Sequence, residues 1–361
     1  MESTDAPQLI EHLNHSVAYT PYEVRWVPSS ARLTVLGLRA NGRGVLEVFE
    51  LSAGKLKLVG SREQQHGFKC GTFGASSLTE RHVAAGDFGG VVAMYDLEQP
   101  SARPVWSVKG HDALVNCIDG CGGLNVGCGA PELVTGSRDG TVKVWDPRVD
   151  KPVGSLEAEG GSADPNDKRD CWAVAFGNSF NDEERCVAAG FDNGDVKLFD
   201  LRTNTLRWEA NMGNGVCGLQ FDRRDIEMNK LVCTTLESKF RVYDMRTEHP
   251  TEGFAYLAER AHKSTVWGVR HLPQNRDLFV TTGGNGGINL YKYVYPPQRS
   301  KKDAEGRAKG VPGTVELLNS KVISSQPIVS LDFSPDKEGL AALACLDQTV
   351  RVLIITKLNL Y

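Results

Sequence analysis

Three residues near the middle of the chain have the types of a hydrolytic relay: His111 a base, Ser137 a hydroxyl and Asp139 a carboxylate. A serine nucleophile needs its base within hydrogen-bond reach and a third group to orient that base. The local setting argues against this use. Ser137 and Asp139 lie in the segment 136–146, GSRDGTVKVWD. This is a tight turn, Arg138-Asp139-Gly140, followed by a strand alternating through Val142 and Val144 to Trp145. The frame recurs along the chain, so the three residues read as structural rather than catalytic.

Other chemistry finds less support. No phosphate-binding Gly-x-x-x-x-Gly-Lys-Ser/Thr segment occurs. The glycine run 120–129 lacks the dinucleotide fingerprint and its strand-to-helix setting, and reads as a loop. Cys117, Cys121 and Cys128 cluster, but without paired short spacing or neighbouring histidines; they read as core and loop thiols, not zinc ligands. No metal and no cofactor is expected. Arg299, Lys301, Lys302, Arg307 and Lys309 form a basic stretch interrupted by Asp303 and Glu305, which reads as a solvated loop. The chain is therefore expected to bind rather than to catalyse.

The elements that position these residues come from the repeat. The same eleven-residue frame returns at 86–96, 190–200, 234–244, 282–292 and 344–354, with a weaker copy ending at Phe49-Glu50. Its aromatic position holds Phe49, Tyr95, Trp145, Phe199, Tyr243, Tyr291 and, in the last copy, Leu353. Successive copies lie 44 to 62 residues apart, the length of a four-stranded propeller blade plus loop insertions. Seven copies predict an all-β, seven-bladed propeller filling 1–361 as one domain. Three segments of loop composition interrupt the spacing: 120–131, 157–170 and 295–313, the last predicted to be mobile.

Composition agrees with a binding module. The net charge of −4 argues against broad electrostatic attraction to nucleic acid. The longest late apolar run, Val350–Ile355, is broken by Arg351 and is far shorter than a bilayer span, so no membrane partner is expected. The start, MESTDAPQLIEHL, has no secretion signal. Nine scattered cysteines point to a reducing, cytoplasmic compartment without disulfides.

The frame resembles the WD40 repeat. Its fullest copy carries Gly110-His111, Ser137, Asp139 and Trp145. The resemblance implies a hydrogen-bonded tetrad running from His111 through Ser137 and Asp139 to Trp145. It also implies that residues 8–13 add a closing strand to the last blade. Family geometry places 157–170 on the top face and the other two insertions on the bottom. It sets Tyr22, Lys69, Asn116, Trp172, Cys217, Trp267 and Val329 around the top mouth of the central channel, with Phe88 and Arg138 nearby. Trp172, Trp267, Phe88 and Arg138 are predicted as the centre of a partner-binding patch, because exposed Trp and Arg dominate binding hot spots. The competing reading has both tryptophans plugging the channel.

Two further resemblances bear on partners. Trp145-Asp-Pro-Arg148, Phe199-Asp-Leu-Arg202 and Tyr243-Asp-Met-Arg246 resemble the box by which some WD-repeat proteins dock a cullin-ring ligase adaptor, which would give Arg148, Arg202 and Arg246 that role. The alternative is a surface Asp–Arg pair of little energetic weight. Segments between the repeats, among them Lys168-Arg-Asp-Cys-Trp172, Ala261-His-Lys-Ser-Thr-Val-Trp267 and Gln298-Arg-Ser-Lys-Lys-Asp303, look like the Monad (WD-repeat protein ninety-two) family over nearly the whole chain. That resemblance implies a cytoplasmic, non-enzymatic scaffold for axonemal dynein arm preassembly, monomeric on its own. Its implied partners are RuvB-like and prefoldin-like co-chaperone subunits, tetratricopeptide adaptors and axonemal dynein heavy chains. The rival function is a substrate receptor of a cullin-ring ubiquitin ligase.

Overall fold

Alternating side chains dictate the blades. In the strand Val142–Trp145, Val142 and Val144 are buried while Lys143 between them is not. The computed structural model describes residues 6–124, 129–156 and 169–361. These form seven four-stranded antiparallel sheets arranged as a propeller, and one separate two-stranded hairpin. The innermost strands are Thr20–Trp26, Phe68–Thr72, Val115–Cys121, Cys171–Gly177, Val216–Phe221, Val266–His271 and Ile328–Phe333. Each leads outward through consecutive strands, so every blade is a meander except where insertion or closure intervenes.

The core is divided in the same way. Seven apolar clusters each span one pair of neighbouring blades. The repeating aromatic position is buried in every copy, from Phe49 at 2% exposure to Leu353 at 0%. No single core has to grow with chain length, which is how 361 residues form one ring.

The ring closes through Leu9–Ser16, which pairs antiparallel with Thr349–Ile355 and so covers the outer edge of the seventh sheet's third strand. Arg351 locks this seam: its guanidinium donates to Glu11 at 3.0 Å, to Asp347 at 2.7 Å and to the carbonyl of Ile323 at 2.5 Å.

The segment 295–313 departs from the expected mobile loop. It carries the hairpin Ser300–Lys302/Ala308–Gly310 and docks on blade five, before the chain returns as the outer strand Thr314–Val322 of blade six. The physical reason is charge. Arg299 makes two hydrogen bonds to Asp244, at 2.9 and 2.7 Å, and a third to Asn229. The Tyr295 hydroxyl donates to Asp277 at 2.9 Å and meets the buried ammonium of Lys230. Asp303 pairs with His249 at 3.0 Å. Polar residues that look solvated in sequence are the partners of buried charges on blade five.

The insertion 120–131 follows the innermost strand of blade three, at the bottom of the ring; residues 125–128 within it, and 157–168 of the insertion before blade four, lie outside the described residues.

Candidate protein-binding face

Every innermost strand carries a β-bulge at the same place. The registers shift across Pro21/Glu23, Phe68/Cys70, Val115/Cys117, Cys171/Ala173, Val216/Gly218, Val266/Gly268 and Ile328/Ser330. The extra residues are Tyr22, Lys69, Asn116, Trp172, Cys217, Trp267 and Val329, the seven positions that the WD40 resemblance sets at the channel mouth. A bulge leaves one residue outside the ladder and re-aims its side chain. All seven line one central cavity of about 710 Å³.

Their surroundings differ around the ring. Over blades one and two, the Lys69 ammonium sits 4.6 Å from the Tyr22 ring, and Phe88 packs against Tyr22 at 5.6 Å. Burial pushes the Lys69 ammonium's pKa down. Asn116 is spent on the next blade, donating to the carbonyl of Cys171 at 3.0 Å. Arg138 is 69% exposed and reaches Asp170 at 3.9 Å. Trp172 leans over blade five, against Gly215 and Leu236. Trp267 lies against the turn at Gly284 and is 36% exposed. Phe88 thus groups with Tyr22 and Lys69, Arg138 with Asp170 beside Trp172, and the two tryptophans flank blade five.

Deeper in the channel, three residues past the bulge on five of the seven innermost strands, lies a polar collar absent from the sequence expectations; the same position holds Thr72 and Ala175 on the other two. Asp332 accepts the backbone N–H of Trp26 at 2.9 Å, Asp119 that of Phe176 at 2.9 Å and Gln220 that of His271 at 2.6 Å. Arg25 donates to the carbonyl of Gly71 at 2.8 Å and Arg270 to that of Leu331 at 3.1 Å. Each bond joins one blade to the next. Burial and the neighbouring Arg25 bring the Arg270 guanidinium down to about 10. A signal was available as the third residue after the mouth position in five blades, but no single-blade motif marks it.

The tetrad is corrected in membership and order. Trp145 Nε1–H donates to Thr135 Oγ1 at 2.8 Å, and that hydroxyl meets His111 Nε2 at 2.7 Å. His111 Nδ1 meets Asp139 at 3.2 Å. Thr135 is the hydroxyl link. Ser137 lies nearer the turn, where its oxygen accepts the Asp139 N–H at 3.1 Å. Burial raises the Asp139 carboxyl, but hydrogen bonds from His111, Thr141 and the Asp112 N–H overcome it and hold the group well below the usual carboxylate range. A carboxylate so fully engaged, with its histidine committed to a threonine, forms a strut and not a nucleophile–base pair.

The three ligase-box arginines are held locally or solvated. Arg148 grips its own Asp146 through Nε and Nη2, one edge of its guanidinium, at 2.6 to 3.0 Å. Arg246 pairs with Glu227, and Arg202 meets Asp200 through its backbone N–H at 2.8 Å. Among the described residues no group of three His, Cys, Asp or Glu side chains is placed to hold a metal ion.

Comparison with known proteins places this geometry among relatives. A family model described as nucleolar protein 10-like, N-terminal domain, matches residues 130–271, and the WD domain, G-beta repeat model matches 102–146. The chain is 59% identical over 360 residues to human dynein axonemal assembly factor 10, covering 99% of both chains. It is 58% identical over 356 residues to the Xenopus laevis protein of that name, covering 98% of both. It is 55% identical over 361 residues to the Chlamydomonas reinhardtii protein, covering 99% of both.

Proposed function

The chain belongs to the dynein axonemal assembly factor 10 family, the Monad family its inter-repeat segments resemble, and from this premise we propose that it is a non-enzymatic scaffold for assembling axonemal dyneins. In this reading it works in the cytoplasm, before arms reach the axoneme. It links dynein heavy chains, or their folding intermediates, to RuvB-like and prefoldin-like co-chaperone subunits through tetratricopeptide adaptors. The observation that carries it is identity above half over the full length in vertebrate and algal assembly factors alike. The channel mouth supports a binding role, because two of its seven bulged positions are tryptophan and Trp267 is 36% exposed.

The test is affinity purification from cells building motile cilia, using the wild type and a Trp172→Ala, Trp267→Ala double variant. The expected result is co-purification of dynein heavy chains and co-chaperone subunits with the wild type. The double variant is expected to melt as the wild type does and to lose its principal partner. Recovery of a cullin and its adaptor in place of co-chaperones would overturn the proposal in favour of a ligase receptor.

A further inference from the structure

Blade five presents small residues between two tryptophans. Cys217 occupies its bulge and Gly218 follows. A Cβ on Gly215 would stand 2.6 Å from Cζ3 of Trp172 and 3.1 Å from Cδ1 of Leu236, so glycine there is what lets the indole lie over this blade. On the far side, the Trp267 carbonyl oxygen is 3.5 Å from the point where a Gly218 Cβ would be. Leu236 and Trp267 are each 36% exposed. The result is a recess with a floor of Cys217 and Gly218, bounded by the Trp172 indole and Leu236 on one side and by the Trp267 backbone on the other.

The Trp172 end of this recess is acidic. Asp170 lies two residues before the tryptophan, and the Asp192 N–H donates to the Asp170 carbonyl at 3.0 Å. The Asp192 carbonyl oxygen is 2.7 Å from the same Gly215 point that Trp172 approaches, so this residue and the indole adjoin. Asp192 Oδ1 is shielded from solvent and has no hydrogen-bond partner. Among the described residues Asp170 pairs with the solvated Arg138 guanidinium at 3.9 Å, and Arg169 adds a second exposed positive charge nearby. Burial, and then the charge of Asp170, push the Asp192 carboxyl upward. A shielded carboxylate oxygen without a donor lacks its complement. A tryptophan beside it favours a cation as that complement, because its ring face is negative.

We propose that this recess receives a basic side chain, Arg or Lys, carried on an otherwise apolar segment of a partner protein. The cation meets Asp192 and Trp172, and the flanking apolar residues cover Cys217, Gly218 and Leu236 toward Trp267. An acidic segment is repelled by Asp170 and Asp192. A wholly apolar one leaves the shielded Asp192 oxygen without a donor, which is costly. This inference rests on the top face being the partner-binding face and names the chemistry it selects.

The experiment titrates the full chain with acetylated heptapeptides of alternating leucine and serine whose central residue is Arg, Lys, norleucine or Glu, read by the Trp172 indole resonance and by calorimetry. The Arg and Lys peptides are expected to bind at least tenfold tighter than the norleucine peptide, with the Glu peptide weakest. Asp192→Asn is expected to reduce the basic peptides to the norleucine level at an unchanged melting temperature, and Trp172→Ala to weaken all four. Equal affinity for the four peptides, binding by none, or a basic preference that survives Asp192→Asn combined with Asp170→Asn would overturn the inference. If the preference fails while partner recovery from cells still depends on Trp172 and Trp267, the recess chemistry is wrong and the scaffold reading stands. If the preference holds while those partners are absent, the reverse is true.

Discussion

His111 Nε2 stands 2.7 Å from Thr135 Oγ1, the same oxygen that accepts the Trp145 indole N–H at 2.8 Å. With the hydroxyl proton turned to the imidazole, Nδ1–H is left to donate to Asp139. One threonine thus ties the blade's deepest aromatic to the turn at its top.

Thr135→Val keeps the shape and removes both bonds, leaving the Trp145 N–H and His111 Nε2 buried without partners. A loss of about 2 kcal/mol in urea unfolding is expected, within the range for orphaned buried polar groups. Ser137→Ala, which removes one bond to a turn N–H and a long one to the Ala113 carbonyl at 3.5 Å, is expected to cost less than half as much. Equal losses would show that the relay does not run through Thr135.

The docked hairpin gives a second test. The Asp244 side chain is 1% exposed, and Arg299 is its ion-pair partner. Arg299→Ala leaves that carboxylate buried and unpaired, with an expected loss of about 2 kcal/mol. Lys309→Ala, whose pair with Glu252 is solvent-exposed, is expected to leave the melting temperature unchanged. A mobile 295–313 segment would make both variants silent.

Two buried histidines set the acid limb of stability. Burial lowers the His262 imidazole to about 4 and the His271 imidazole well below its ordinary value. Unfolded, each titrates near 6.5, about the reference value. Between those values the unfolded chain binds more protons, so stability falls as pH drops from about 6.5 toward 4. For His262 the full window amounts to about 3 kcal/mol. Urea midpoints at pH 7.5, 6 and 5 should fall in that order, and His262→Gln should flatten the slope. A slope unaffected by that variant would mean His262 is not neutral in the folded state.

Fold and site were legible to different depths. The blade count follows from Phe49, Tyr95, Trp145, Phe199, Tyr243, Tyr291 and Leu353, because each blade buries this one position against its neighbour. The mouth positions are legible for the same reason: a bulge repeated at one place in every blade keeps the alignment in register. The tetrad's hydroxyl was misplaced because Thr135 and Ser137, two apart on one strand, share a face. Only the pairing decides between them: Thr135 lies opposite Lys143 within reach of the Trp145 indole, while Ser137 sits at the turn. A signal existed in blade six, where Thr281 holds His262 at 2.9 Å and precedes Asn285 by the same four residues that separate Thr135 from Asp139. The hairpin was missed because its partners, Asp244, Asn229 and Lys230, are remote in sequence and buried in another blade.

The last prediction concerns the seam. Arg351 is 10% exposed and joins three parts of the seventh blade: Glu11 on the closing strand, Asp347 in the turn before its own strand and the Ile323 carbonyl at the entry. Burial raises the Asp347 carboxyl, but hydrogen bonds from Thr349, Ser324 and Arg351 bring it below its ordinary value. Arg351→Met keeps most of the packing but removes the cation shared by Glu11 and Asp347, leaving Asp347 only its Thr349 and Ser324 hydrogen bonds, with an expected loss of about 3 kcal/mol. Arg351→Lys recovers part of it, since one ammonium cannot span three acceptors with a fixed fork. Removing residues 6–16 acts differently: it bares Thr349–Ile355, an apolar strand with unpaired N–H and C=O groups. That chain is expected to associate with rising concentration in light scattering, and to lose hydrogen-exchange protection across 349–355, where Arg351→Met keeps both properties of the wild type. A truncated chain that stays monomeric and melts at the wild-type temperature would show that the propeller does not depend on this strand for closure.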